Sequence, residues 1–348
     1  MVAVPPDGRP WPLPGAISPG KRKLAEWLVA CYNPGNMKAT SRRDFLRSSF
    51  QTGLALTGLG LGAPRLAAIE PFKRPGAPRL KLSLAAYSFR QFFKDNKDAG
   101  GAATDKKIDL FQFIDFCAEH GCDGTELTSY YFPPDVNDDY LLRLRRHAFV
   151  RGIAVSGTAV GNTFTLPVGE KRDQQITGVK RWIDRAALMG APHIRIFAGN
   201  APSDISLTQA RTLCIGAIEE CCDYAGQKGI ILGLENHGGI VTEPADLLEI
   251  VRAVKSPWFG INLDTGNFRT ADPYADLARC APYAVNVQVK TEISKRGQPK
   301  GPADLARLVQ IVREANYQGY VALEYEAAED PWKAVPETLE KLGALLKT

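Results

Sequence analysis

Four polar residues in the second half of the chain have types and spacing that could bind a metal ion. Glu235, Asp264, Gln288 and Glu324 each stand at or near the end of a short apolar stretch, and 29, 24 and 36 residues separate them. Three carboxylates held close together would repel one another strongly unless a positive charge lay between them. A divalent cation with oxygen ligands is the simplest such charge. If the fold gathers these four residues, we expect them to bind one divalent ion.

The elements that must position these residues alternate regularly from Leu80 onward. We predict strands at 81–87, 122–127, 153–159, 193–198, 230–236, 259–264, 284–290 and 320–325, and helices at 106–120, 138–151, 171–189, 207–228, 243–254, 274–280, 303–316 and 332–346. Strands that alternate with single helices pair in parallel through right-handed crossovers. Eight such units in residues 80–348 predict an α/β fold, a closed (β/α)8 TIM barrel. The alternative, an open doubly wound sheet, would need a glycine-rich phosphate loop after its first strand, where this chain has YSFR at 87–90.

The C-terminal ends of barrel strands meet at one face, which is where TIM barrels carry their reactive side chains. Five further residues near predicted strand ends are therefore candidates for substrate binding: Glu126, Arg195, His237, Lys290 and Glu326. Four of them have a structural alternative, and for Glu126 this is a role in the fold alone. Arg195 could bind an anionic substrate or pair with Glu126, His237 could be a surface loop residue, and Lys290 could be a solvated charge at the rim.

Four short motifs resemble the last four strands of the xylose-isomerase-like TIM-barrel family: LENH (234–237), LDTGN (263–267), VQVK (287–290) and LEYE (323–326). That family includes sugar isomerases, ketose 3-epimerases, inosose dehydratases and endonuclease IV. The resemblance implies that a Glu, an Asp, a His and a Glu bind one Mn²⁺, Mg²⁺ or Co²⁺. Glu235, Asp264 and Glu324 match three of these ligands. Gln288 stands where the family usually has His, and Thr291 stands where an Asp commonly follows the lysine.

The departure at Gln288 has two interpretations. An amide oxygen in place of an imidazole makes the ligand set all-oxygen, which favours Mg²⁺, Mn²⁺ or Ca²⁺ over Zn²⁺. Together with the resemblance, this predicts one Mn²⁺ or Mg²⁺ ion, with Co²⁺ as an alternative. The substitution could instead mark a site that has lost its metal. The three retained carboxylates favour a working site, because clustered buried charges without a partner are costly. Glu326 points to the same side of its strand as Glu324; we expect Glu324 to be the ligand.

The resemblance also implies a reaction. Glu235 and Glu324 would be the catalytic pair, removing and returning a proton next to a sugar carbonyl through an enediolate. The first alternative is a metal-dependent lyase, a dehydratase or β-eliminase acting on keto-sugars or 3-keto-glycosides. The second is an exported sugar-binding barrel without turnover. DNA repair of the endonuclease IV type would need several zinc-binding histidines, and this chain has four histidines in all.

Charge and cysteine content exclude other classes of protein. The chain carries a formal net charge of +5, but residues 1–68 account for +6, which leaves −1 for residues 69–348. We therefore expect no nucleic-acid partner. The seven cysteines show no CxxC spacing, so we expect small buried side chains rather than a zinc or disulfide framework. The oligomeric state is not predicted.

The N-terminal residues resemble an export signal. SRRDFLR at 41–47 resembles the twin-arginine motif, and a glycine-rich apolar run and small residues follow it. We predict a signal peptide at 37–68, a proline-rich linker at 69–79, and a mis-called or disordered extension at 1–36, with translation beginning at Met37. These features predict export by the twin-arginine (Tat) translocase to the periplasm or another extracytoplasmic location, with no permanent membrane anchor.

Overall fold

The computed structural model describes residues 69–96 and 106–348, and the predicted leader and extension at 1–68 lie outside these residues. The described chain forms a closed barrel of eight parallel strands: β1 (Arg79–Ala85), β2 (Gly124–Thr128), β3 (Ala154–Ala159), β4 (His193–Ile196), β5 (Ile231–Glu235), β6 (Phe259–Asp264), β7 (Ala284–Val289) and β10 (Gln318–Leu323). Around the barrel the strand order is β1-β10-β7-β6-β5-β4-β3-β2. A short antiparallel pair, β8 (Glu292–Ile293) and β9 (Gly301–Pro302), follows β7. The predicted TIM barrel is therefore confirmed.

Helices alternate with the barrel strands, as the sequence pattern predicts: α1 (Leu110–Glu119), α2 (Asp138–Val150), α3 (Glu170–Met189), α4 (Leu207–Lys228), α5 (Pro244–Ala253), α6 (Pro273–Cys280), α7 (Leu305–Glu314) and α8 (Pro331–Lys347). Local sequence sets their ends. Ser206 begins α4 through a capping box with Gln209, and Asp272 caps α6 just before a proline. Gly190 and Gly229 end α3 and α4 in the left-handed conformation that glycine adopts without strain.

The core consists of apolar side chains between the barrel and the helices. Strand residues such as Leu84, Ile194, Leu232 and Ile261 are fully buried against the apolar faces of the helices. The six cysteines within the described residues are free and buried, as predicted. Among those residues, no helix combines the length and the apolar character that crossing a membrane requires.

Strand register brings the ends of β6, β7 and β10 to the same level. Gln288 on β7 pairs with Asp264 on β6 and with Ala322 on β10. The backbone N–H of Glu324 donates to Val289 O at 2.9 Å, which continues the ladder one residue beyond β10. Glu324 and Lys290, each just past its strand, therefore lie side by side at the C-terminal mouth of the barrel.

Candidate active site

A buried lysine holds three carboxylates together at this mouth. Lys290 Nζ lies 3.1 Å from Asp264 Oδ2, 3.5 Å from Glu324 Oε1 and 2.6 Å from Glu326 Oε2. We call these four residues the lysine cluster. Lys290 is 6% exposed and Asp264 is fully buried. The sequence left open a solvated rim charge at Lys290; the structure instead buries it among the carboxylates.

The LDTGN motif positions both Asp264 and Lys290. A Cβ atom at Gly266 would lie 2.8 Å from Cδ of Lys290, so glycine leaves the space in which the lysine chain passes. Thr265 Oγ1 accepts a hydrogen bond from the Lys290 backbone N–H at 2.9 Å. The Gly266 N–H donates to Asp264 Oδ1 at 2.8 Å. The loop that contains Thr265 and Gly266 therefore fixes the positions of both members of the ion pair, the Asp264 carboxylate and the Lys290 ammonium.

Asn236, in the LENH motif, holds the backbone of Asp264. Its Nδ2 donates to Asp264 O and its Oδ1 accepts from Asp264 N, both at 2.9 Å. Asp264 Oδ2, in contrast, meets Lys290 in an ion pair without hydrogen-bond alignment. The backbone of Asp264 is thus rigidly placed, while one of its oxygens keeps capacity to accept a hydrogen bond.

Below the lysine cluster lies a closed ring of four buried side chains, which we call the amide ring: Glu126, Asn262, Asn286 and Gln288. Gln288 Nε2 donates to Glu126 Oε1 at 2.6 Å, and Asn286 Nδ2 donates to Glu126 Oε2 at 2.7 Å. Asn286 Nδ2 also reaches Asn262 Oδ1 at 2.8 Å, and Asn262 Nδ2 donates to Gln288 Oε1 at 2.6 Å. Each member is bonded to its two neighbours, so the ring fixes the orientation of Gln288.

Arg195 and Glu235 form a second buried ion pair on β4 and β5. Arg195 Nε lies 2.8 Å from Glu235 Oε2, and Asn267 Nδ2 donates to Glu235 Oε1 at 2.9 Å. Of the two sequence alternatives for Arg195, pairing with Glu126 is replaced by pairing with Glu235. The Arg195 guanidinium also lies 3.9 Å from the centre of the Phe197 ring.

His237 stands at the exposed rim, two residues beyond Glu235. Its ring lies 4.6 Å from the ring of Phe197, centre to centre. Phe197 therefore contacts both Arg195 and His237. Within the protein, the contacts of His237 are those of a packed surface residue, and its part in substrate binding stays a prediction.

Burial sets the acid–base properties of the site. Burial raises the pKa of Glu235 to about 7, against the lowering effect of the Arg195 guanidinium. Burial also raises the pKa of Glu324 well above its ordinary value, although Lys290 opposes this shift. For Lys290 burial acts to lower the pKa, but the carboxylates of Asp264, Glu324 and Glu326 outweigh it and raise the pKa. The site therefore combines a permanent ammonium with one carboxyl, Glu235, whose pKa lies near neutral pH, and a second, Glu324, whose pKa burial raises.

The donor set, as folded, does not fit a divalent ion. Lys290 Nζ lies between oxygens of Asp264 and Glu324, and the Gln288 oxygen is bonded to Asn262. Within residues 69–96 and 106–348, no group of three or more His, Cys, Asp or Glu side chains is arranged to hold a metal. The predicted ion at Glu235, Asp264, Gln288 and Glu324 stays a prediction, which the experiments below test.

Four asparagines of the site were not among the candidates predicted from the sequence. Asn236 and Asn267 lie inside the quoted motifs, but nothing in the pattern indicates which strand end each amide contacts. Asn262 and Asn286 sit in the middle of apolar strands. A polar residue at such a buried position is itself a signal, since it needs a partner in the interior, and it could have revealed the amide ring.

Comparisons with known proteins agree with this architecture. A family model described as xylose isomerase-like TIM barrel matches residues 114–342. A protein from Xenopus laevis named “Putative hydroxypyruvate isomerase” is 24% identical over 180 residues, which cover 47% of this chain and 65% of that protein. The chain thus matches slightly less than two thirds of that relative's length.

Two solved structures show the same fold. One is 3-keto-D-glucoside 4-epimerase from E. coli, with a TM-score of 0.57, 18% identity and coverage of 76% of this chain and 100% of that chain. The other is L-ribulose 3-epimerase, with a TM-score of 0.62, 13% identity and coverage of 77% and 95%. At these identities the likeness establishes the fold alone.

Proposed function

The chain belongs to the xylose isomerase-like TIM barrel family, and we propose that it is an isomerase or epimerase of keto-sugars or similar hydroxy-carbonyl compounds. The observation that carries this proposal is the arrangement of two buried carboxyl groups with raised pKa values beside buried cations. Glu235 on β5 and Glu324 after β10 stand on the strands that flank β6 and β7. Asp264 and Lys290 lie between them. The names of relatives and structural neighbours, isomerases and epimerases among them, support the same class of reaction.

The proposed reaction is a proton transfer next to a carbonyl group. One carboxylate takes the proton from the carbon beside the carbonyl, the C–H electron pair forms a carbon–carbon double bond, and the carbonyl π pair moves to oxygen. A protonated carboxyl on the other side then returns a proton. When the proton returns to the same carbon from the opposite face, the oxyanion electron pair re-forms the carbonyl and the product is an epimer. When it returns to the former carbonyl carbon, the neighbouring hydroxyl passes its proton to the oxyanion and becomes the new carbonyl, and the product is an isomer.

Lys290 and Asp264 have distinct tasks in this scheme. The contact between Lys290 and Glu324 is the longest in the lysine cluster, at 3.5 Å. It is the contact that a substrate oxygen can replace, which would set a fixed positive charge beside the developing oxyanion. Asp264 Oδ2 has capacity to accept a bond from a substrate hydroxyl. Glu324 is then free to act on the C–H bond.

Deuterium exchange tests the proposal. In deuterated water, a panel of keto-sugars and hydroxypyruvate should contain a compound whose C–H next to the carbonyl exchanges in the presence of the protein. Glu235→Gln and Glu324→Gln should each slow this exchange by about 10²–10⁴-fold, the contribution of a positioned general base. Glu340→Gln, on the exposed face of α8, is the matched control and should leave exchange unchanged.

The products separate the remaining alternatives. A product that has lost a leaving group along with the proton assigns the protein to the lyases. A ligand that binds tightly while none of its C–H bonds exchanges would contradict the enzyme proposal and support a sugar-binding barrel. The unfolding midpoint of each variant shows whether a lost activity reflects a lost fold.

A further inference from the structure

The ammonium group of Lys290 competes for the oxygens that a divalent ion would need. It contacts Asp264 Oδ2, Glu324 Oε1 and Glu326 Oε2 within 3.5 Å. An ion bound to Asp264 and Glu324 would lie a few ångströms from this ammonium, inside a region from which water is largely excluded. Repulsion between the two cations at that separation would be strong. With the lysine side chain in the conformation that this structure shows, the ammonium and a metal ion are therefore alternatives at this place.

The other two predicted ligands are also engaged with the protein. The carbonyl oxygen of Gln288 accepts from Asn262, and its NH₂ faces Glu126. Turning the amide around would set its oxygen against the Glu126 carboxylate, where no donor remains. Glu235 has one oxygen bonded to Asn267 and the other paired with Arg195.

The packing around Lys290 indicates that it is built into the site. Its chain passes over Gly266, where a Cβ would clash, and its backbone N–H is bonded to Thr265. Glu326, two residues after Glu324, supplies the closest carboxylate contact of Lys290 Nζ, at 2.6 Å. These contacts hold the ammonium at the centre of the carboxylates instead of letting it extend into solvent.

We propose that Lys290 replaces the divalent cation in this site, so that its ammonium holds Asp264, Glu324 and Glu326 together and the barrel works without a metal. The inference deepens the proposed function, since the same ammonium would stabilise the charge that forms on the substrate carbonyl oxygen. Its physical basis is independent of the reaction, because it rests on contacts within the folded protein. Metal binding can therefore test it in the absence of any substrate.

The test is a Mn²⁺ titration of the full chain, followed by electron paramagnetic resonance. Wild type should show no stoichiometric Mn²⁺ site. Lys290→Ala leaves three carboxylates without their cation and should bind one Mn²⁺ at least about 10-fold more tightly than wild type, a change equivalent to 1.4 kcal/mol. Lys290→Arg keeps the charge and should resemble wild type, as should the exposed control Lys295→Ala.

Two results would overturn the inference: one tightly bound Mn²⁺ in wild type that Asp264→Asn abolishes, or no gain of binding in a folded Lys290→Ala protein. If Lys290→Ala does not fold, Lys290→Gln replaces it in the titration, and the wild-type result decides in either case. Failure of the proposed function would look different. If wild type binds no Mn²⁺, Lys290→Ala gains a Mn²⁺ site and no C–H exchange is found, the lysine inference stands and the isomerase proposal is wrong. If wild type catalyses exchange only with bound Mn²⁺, the isomerase proposal stands and the lysine inference is wrong.

Discussion

The amide ring and the lysine cluster lie next to each other at β7, and they stabilise a buried carboxylate in different ways. Each must keep a buried carboxylate: Glu126 in the ring and Asp264 in the cluster. Glu126 is held by neutral amide donors from Gln288 and Asn286. Asp264 is held by the ammonium of Lys290, two residues beyond Gln288.

This difference separates a structural region from a reactive one. In the ring, each amide group is bonded to both of its neighbours, and no change of protonation is needed to keep it intact. Outside the ring, two cations face four carboxyl groups: Arg195 pairs with Glu235, and Lys290 contacts Asp264, Glu324 and Glu326. Burial of excess negative charge favours protonation of some of these groups. The side of the site around Lys290 and Arg195 therefore holds more negative than positive charge, whereas the ring meets its one carboxylate with neutral donors.

Loss of the lysine cation should have the largest effect on stability. Lys290→Met removes the ammonium and keeps the aliphatic chain, which leaves Asp264 buried without its cation. Removing one partner of a buried ion pair costs about 3–5 kcal/mol, and we expect the free energy of unfolding to fall by that amount in urea titrations. The exposed control Lys295→Met should change it little.

The pH dependence of this variant sharpens the comparison. At mildly acidic pH the carboxyl groups can take up protons, so the destabilisation should shrink as the pH falls. A Lys290→Met protein as stable as wild type at alkaline pH would show that the ammonium does not hold the cluster together.

Loss of an amide in the ring should cost less. Gln288→Leu deprives Glu126 of one of its two amide donors and leaves Asn262 Nδ2 without its acceptor. A buried group left without its hydrogen bond costs about 1–3 kcal/mol, and this cost should appear in urea titrations of metal-free protein. If Gln288 were instead a metal ligand, the variant would lose Mn²⁺ affinity and keep the stability of the metal-free form.

The sequence predicts the barrel and the level of the site, because both follow from patterns that repeat along the chain. Alternating strands and helices indicate the fold, and a polar residue at each strand end indicates the mouth. The partner of each side chain does not follow from such patterns. The sequence pattern is the same whether Asp264 and Glu324 bind a metal ion or the ammonium of Lys290. Which of the two they bind depends on the path of the lysine side chain over Gly266. The amide ring likewise joins β2 to β7 across 160 residues, a distance over which no local signal acts.

The smallest predicted effect concerns the second cation, Arg195, and the pH dependence of turnover. The carboxyl of Glu235 has a pKa of about 7, so if Glu235 is the base, kcat/KM should rise with pH through a midpoint near that value. Arg195 favours the ionised form and holds this pKa down, whereas Asp264 and Glu126 raise it and Lys290 lowers it. Arg195→Met removes a lowering influence, so the midpoint should move to higher pH by about one unit or more. Arg296→Met, which breaks an exposed pair with Glu243, is the matched control and should leave the midpoint in place. A midpoint that stays unchanged in Arg195→Met would show that the titrating base is not Glu235 and would shift the role to Glu324, whose pKa burial raises and Lys290 lowers.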